Sequence, residues 1–160
     1  MFLLFFCAVQ VQASDDPARL GGGVTYWRTI DDIDQDDEVD DDGFSFYASY
    51  QYWGGLLGVE ADLEFLPDKV GEDTFAPQAF LLVGRGIYAG AGIGIEYRDG
   101  EFADEPFFAL RAGLNLEVLP SIYWDIYGLY RFNDSAELDD DNTDIDTDTV
   151  FLGTAVRFGF

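Results

Sequence analysis

The sequence predicts an all-β fold, an eight-stranded antiparallel up-and-down transmembrane β-barrel, and three observations predict it. Eight stretches alternate apolar side chains with polar or small ones, each close to the roughly ten residues that a tilted strand needs to cross hydrocarbon. The connections between them are by turns long and short, as expected when the two ends of a barrel face different compartments. Acidic charge is gathered almost wholly into the long connections.

Composition sets the frame. The 160 residues suffice for one domain; they include 32 Asp and Glu, 8 Lys and Arg and no His, for a formal charge of −24. Acidity on this scale usually goes with disorder, but disordered chains are poor in aromatic and β-branched residues. This chain is 48% hydrophobic and 17% aromatic, so the two characters must be segregated along it. A nucleic-acid partner is not expected, because phosphate binding needs a basic surface. The single cysteine, Cys7, leaves no internal disulfide and no cysteine-ligated metal site. Without histidine the usual zinc ligand and the commonest general base are missing, and the expectation is a protein that is not an enzyme.

From the N-terminus, residues 2–11 read FLLFFCAVQV, too short an apolar run for a spanning helix, which needs about 20 residues. The small Ala13 before Ser14 suits signal-peptidase cleavage. Residues 1–13 therefore read as a secretory signal, although no Lys or Arg precedes the apolar run. Phe6 stands where a lipoprotein signal would need a small residue before Cys7. Residues 14–19 then form a short periplasmic segment and residues 20–160 the barrel.

The expected strands cover residues 21–30, 44–53, 56–66, 74–84, 86–97, 106–118, 122–132 and 149–160. Long connections follow the odd strands, at 31–43, 67–73, 98–105 and 133–148. The turns after the even strands are tight: Gly54-Gly55, Arg85 with its glycine neighbours, and Leu119-Pro120-Ser121. The four long connections carry −9, −2, −3 and −8, which is −22 of the total −24. Strands and turns are left nearly neutral, as a bilayer requires.

Successive side chains of a strand point to opposite faces. In the third strand Leu57, Val59, Ala61, Leu63 and Phe65 oppose Gly58, Glu60, Asp62 and Glu64. In the fifth, Ile87, Ala89, Ala91, Ile93 and Ile95 oppose Tyr88, Gly90, Gly92, Gly94 and Glu96. In the sixth, Phe108, Leu110, Ala112, Leu114 and Leu116 oppose Arg111, Gly113, Asn115 and Glu117. The last sets Val150, Leu152, Val156, Phe158 and Phe160 against Gly153, Ala155, Arg157 and Gly159. A soluble barrel would keep the apolar face inside and coat itself with Lys and Glu, but lysine occurs once, at Lys69. Glycines weaken an exposed strand, whereas small residues mixed with charges of both signs suit a narrow lumen. The apolar face is therefore expected to point outward, with a soluble barrel or sandwich as the alternative. By the same alternation Arg28 falls on the lipid side, near a rim from which it can snorkel. Trp27, Phe44, Phe46, Tyr50, Tyr52, Trp53, Phe65, Tyr97, Phe107, Trp124, Tyr130 and Phe132 lie near strand ends and read as two interfacial girdles.

The closing Ala155-Val156-Arg157-Phe158-Gly159-Phe160, a terminal Phe with apolar residues at alternate positions, is similar to the signal read by the barrel-assembly machinery. With the leader and the eight strands, the chain resembles the small OmpA/OmpX-type outer-membrane β-barrels, a porin-like family. The resemblance implies Phe158 and Phe160 as the assembly signal and that machinery as a partner. It further implies residence in the outer membrane of a Gram-negative-type bacterium, N-terminus periplasmic and long loops extracellular. It leaves substrate and role open.

Two constellations could carry chemistry. The lumen set opposes Glu60, Asp62, Glu64, Glu96, Glu117 and Asp125 to Arg111, Arg131 and Arg157. Buried charges are costly unless paired, so the set reads as a salt-bridge plug, with a water-filled path for small ions as the rival. The second is acidic: Asp36, Asp37, Asp40 and Asp42 in one loop and Asp140, Asp144 and Asp146 in another. Neither loop fits an EF-hand, but loose binding of Ca²⁺ or Mg²⁺ is open to such carboxylates, and the cation could bridge to lipopolysaccharide. No other cofactor is expected. The role expected is a structural or surface-interaction barrel in outer-membrane lipid, the alternative being a narrow ion or small-solute channel.

Overall fold

A computed structural model describes residues 16–29, 42–69, 72–132 and 149–160. Among them ten strands form one antiparallel sheet. They are β1 (Ala18–Thr29), β2 (Asp42–Gly54), β3 (Leu57–Lys69), β4 (Glu72–Arg85), β5 (Ile87–Gly94), β6 (Tyr97–Arg98), β7 (Glu101–Phe102), β8 (Phe107–Leu119), β9 (Ile122–Phe132) and β10 (Thr149–Gly159). The eight long strands pair in succession, and β1 pairs with β10 from Arg19↔Gly159 to Thr29↔Thr149. The sheet is thus a closed eight-stranded barrel without a lateral edge, the only way strands can satisfy their backbone groups in hydrocarbon. No helix among the described residues is long and apolar enough to cross a membrane.

The orientation of the two faces follows from exposure. Leu57, Ile93 and Leu114 are 55%, 47% and 42% exposed, whereas Glu60 and Arg111 are each 3% exposed. The apolar face is the outer one. Among the described residues, outward-pointing charges on the eight long strands are confined to the rims, at Arg28, Asp42, Asp73 and Arg85. Between the rims a continuous apolar belt runs round the barrel, far beyond the patch a soluble monomer exposes. Within it the indole Nε1 of Trp124 donates to Thr154 Oγ1 (2.8 Å), which donates to the carbonyl of Asp125 (3.0 Å).

At one end the connections are tight because their residues accept left-handed backbone. Gly55 (φ 74°) and Gly86 (φ 70°) do so without a Cβ penalty. Ser121 (φ 59°) does so as a non-glycine, held by its amide bond to Glu117 Oε1 (3.1 Å) and its hydroxyl bond to Asp16 Oδ2 (2.6 Å).

The other end departs from the sequence reading. Strands β3 and β4 continue past the expected limits to a last pair Lys69↔Glu72, with a register shift between Leu66 and Lys69. The stretch 67–73, expected as a long loop, is therefore mostly hairpin. The stretch 98–105 holds the β6–β7 hairpin, turned at Asp99 (φ 53°) and Gly100 (φ 87°); two residues of positive φ match the twist of adjoining strands. The first strand begins at Ala18, inside the segment expected to be periplasmic tail. The leader, residues 30–41 and residues 133–148 lie outside the described residues.

Candidate functional site: the lumen charge network

The lumen is filled by side chains from the inner face of every long strand, and its middle is a tight ionic cluster. Arg157 of β10 is fully buried; its Nη1 donates to Asp125 Oδ2 (2.6 Å), its Nη2 to Glu60 Oε1 (2.6 Å) and its Nε to Ser49 Oγ (2.9 Å). Arg111 of β8 donates from Nη2 to Asp125 Oδ2 (2.9 Å) and from Nε to the Tyr88 hydroxyl (3.0 Å). Its Nη1 lies 3.2 Å from Glu60 Oε2 and 3.6 Å from Asp62 Oδ2. The Tyr88 hydroxyl in turn donates to the Asp125 carboxylate (2.9 and 3.0 Å), and Gln51 Nε2 donates to Glu60 Oε2 (2.7 Å). The Arg111 guanidinium also covers the Tyr127 ring at 3.7 Å. Charges this deep are tolerable only when geometry and hydrogen bonding are both good, and here strands β2, β3, β5, β8, β9 and β10 all contribute.

Toward the long-loop end a second cluster centres on Arg131. Its Nη2 donates to Glu64 Oε2 (2.6 Å), and its guanidinium lies between the rings of Phe107 (4.0 Å) and Phe151 (4.4 Å). Glu64 also accepts from Ser45 Oγ (2.6 Å) and Gln78 Nε2 (3.3 Å). Toward the short-turn end Arg19 stacks on Tyr123 (3.5 Å) and donates to Asn115 Oδ1 (3.2 Å).

Inward glycines make room for these groups. A Cβ on Gly153 would meet the Tyr127 ring at 2.2 Å, one on Gly94 would meet Phe107 at 2.2 Å, and one on Gly21 would meet Arg157 Cγ at 2.8 Å. The glycine-rich inner face is thus a cast of the large side chains opposite.

Of the expected lumen set, Glu60, Asp62, Asp125, Arg111 and Arg157 come together at the centre, and Glu64 with Arg131 forms the cluster above them. Two do not join. Glu96 follows the end of β5 and meets Arg98 at the long-loop rim (3.5 Å). Glu117 sits near the opposite rim, accepting from the Ser121 amide. Three expected girdle residues also point inward: Trp27 and Phe107 are buried in the lumen core, and Trp53 packs against Tyr88 at 6.3 Å. Tyr127, Ser45, Ser49, Gln51 and Gln78, not singled out from sequence, and Tyr88, placed there only on the inner face, prove to be partners of the charged groups; their odd or even position in the strand was the signal. Of the acidic-loop residues Asp42 alone is described. It opens β2 and accepts from the Tyr26 hydroxyl (2.5 Å). Asp36, Asp37, Asp40, Asp140, Asp144 and Asp146 lie outside the described residues, among which no group of three potential ligand side chains could hold a metal. Phe158 and Phe160 lie on the outer face, 58% and 66% exposed.

A closed eight-strand barrel with an apolar exterior and an ionic interior is the fold of the small outer-membrane barrels. No protein-family model matches the chain, and no curated protein matches it in sequence. Solved structures do match. Neisserial surface protein A superposes with a TM-score of 0.64 at 15% identity, over 90% of this chain and 97% of that one. A de novo designed transmembrane β-barrel gives 0.50 at 12% identity, over 90% and 98%. The N-terminal barrel domain of Pseudomonas aeruginosa OprF gives 0.50 at 10% identity, over 88% and 97%.

Proposed function

We propose that the chain is an integral outer-membrane barrel whose interior is sealed by its own ion pairs, serving as a structural or surface-interaction protein. The observation that carries this reading is the pairing of an uncharged apolar exterior with fully buried Arg157, bonded to Glu60, Asp125 and Ser49. An exterior of that kind has hydrocarbon as its natural solvent, and a buried guanidinium with an acceptor on each nitrogen supports a lumen closed by its own side chains. In this reading the N-terminus is periplasmic, the acidic loops face outward, and Phe158 and Phe160 serve the assembly machinery. The acidic loops bind Ca²⁺ or Mg²⁺ loosely and through it lipopolysaccharide, which calorimetric titration of the folded barrel tests: absence of heat at millimolar Ca²⁺ ends that part. The barrel carries no catalytic role.

Single-channel recording in planar bilayers tests the seal. The expected trace is flat for the native chain, with steps appearing for Arg157→Ala. Reproducible native steps altered by Arg111→Ala would replace the sealed barrel by the narrow channel.

A further inference from the structure

At the long-loop end one row of directly paired residues crosses five strands. Phe46 pairs with Phe65, Phe65 with Phe75, Phe75 with Tyr97 and Tyr97 with Phe102. Directly paired residues of an antiparallel ladder share a face, and Phe46 and Phe75 point outward, so all five rings lie on the outer surface. The rings touch in pairs: Phe65 and Phe75 have centroids 5.0 Å apart, Tyr97 and Phe102 4.9 Å. The β6–β7 hairpin therefore does not end the apolar exterior. It prolongs it, and Phe102 at its edge is 61% exposed.

The opposite face of the hairpin is polar. Arg98 pairs with Glu101 in the ladder, and Arg98 Nε donates to Thr74 Oγ1 (3.0 Å). In water the cross-strand ring pair alone would gain the hairpin less than about 1 kcal/mol, whereas aromatic side chains concentrate where hydrocarbon meets headgroups.

We propose that the β6–β7 hairpin lies flat against the outer headgroup layer, with Tyr97 and Phe102 contacting lipid and Arg98 and Glu101 facing the aqueous mouth. The inference rests on the membrane reading above and adds to it the height of the bilayer surface. The partner is the lipid interface itself, chosen because the row is continuous with the apolar belt.

Nitroxide labels on the full chain in liposomes test it, with Cys7→Ser as background and single cysteines at Phe102→Cys, Glu101→Cys and Leu110→Cys. Collision with oxygen reports lipid, and collision with a water-soluble nickel chelate reports water. The expected oxygen-to-nickel ratio at position 102 is several-fold above that at 101 and below that at 110. Equal ratios at 101 and 102, with 110 still lipid-like, overturn the hairpin placement alone. A water-like label at 110 overturns the membrane reading and this inference with it.

Discussion

Arg157 and Arg131 enter the same lumen and are both buried, yet they are held differently. Arg157 has a charged or polar acceptor on each of its three nitrogens. Arg131 has Glu64 and Gln78 on Nη2 alone; its Nε and Nη1 have no acceptor among the described residues, and two aromatic rings cover its faces. The first is an electrostatic joint between strands. The second is a cation packed as though it were part of an apolar core, with one ionic anchor. Burial alone therefore does not distinguish the two; the number of guanidinium nitrogens with an acceptor does.

Breaking the electrostatic joint should have the largest effect. Arg157→Ala leaves Glu60 and Asp125 short of one counter-charge, and urea unfolding in lipid vesicles should show a loss of about 3–5 kcal/mol. Moving a guanidinium to the other side of the wall sharpens the same contrast: Leu114→Arg, on the outer face of β8, should cost about 2–4 kcal/mol in a bilayer and much less in a soluble form. Arg131→Met should cost about 3 kcal/mol, the lower end for a broken buried pair, because methionine can fill the gap between Phe107 and Phe151 while Ser45 and Gln78 still bond the Glu64 that loses its counter-charge. Adding Glu64→Gln should restore part of that loss; a pair that behaves additively would show that Glu64 and Arg131 are not coupled. The smallest effect belongs to Gly153→Ala, about 1–2 kcal/mol from crowding the buried ring of Tyr127, read from the same unfolding curves.

Much of this arrangement was legible because a strand has a period of two. Once Glu60 is placed inside, Asp62 and Glu64 follow, and Leu57, Val59 and Leu63 must face out. Where the reading relied on closeness to a strand end it failed: Trp27, Trp53 and Phe107 sit near ends, but their parity directs them inward. The same parity had correctly set Arg28 beside Tyr26 on the outer face. Height is the other quantity a single chain does not display. Glu96 and Glu117 have the right parity for the lumen, but strand tilt and stagger carry them to opposite rims. Polar composition disguised the continuation of β3 and β4 through residues 67–69 and 72–73, since past the bilayer a strand no longer needs an apolar face. Two short strands around Asp99-Gly100 were likewise hidden in what reads as acidic loop.

The seam between β1 and β10 joins the first and last of the described strands, and Arg157 lies on the last. Until that strand arrives, Glu60 and Asp125 share Arg111 as their only guanidinium in the central cluster. Sealing the cylinder and supplying its second central guanidinium are therefore one event. A barrel lacking that strand carries one more uncompensated negative charge on its inner wall as well as an open edge.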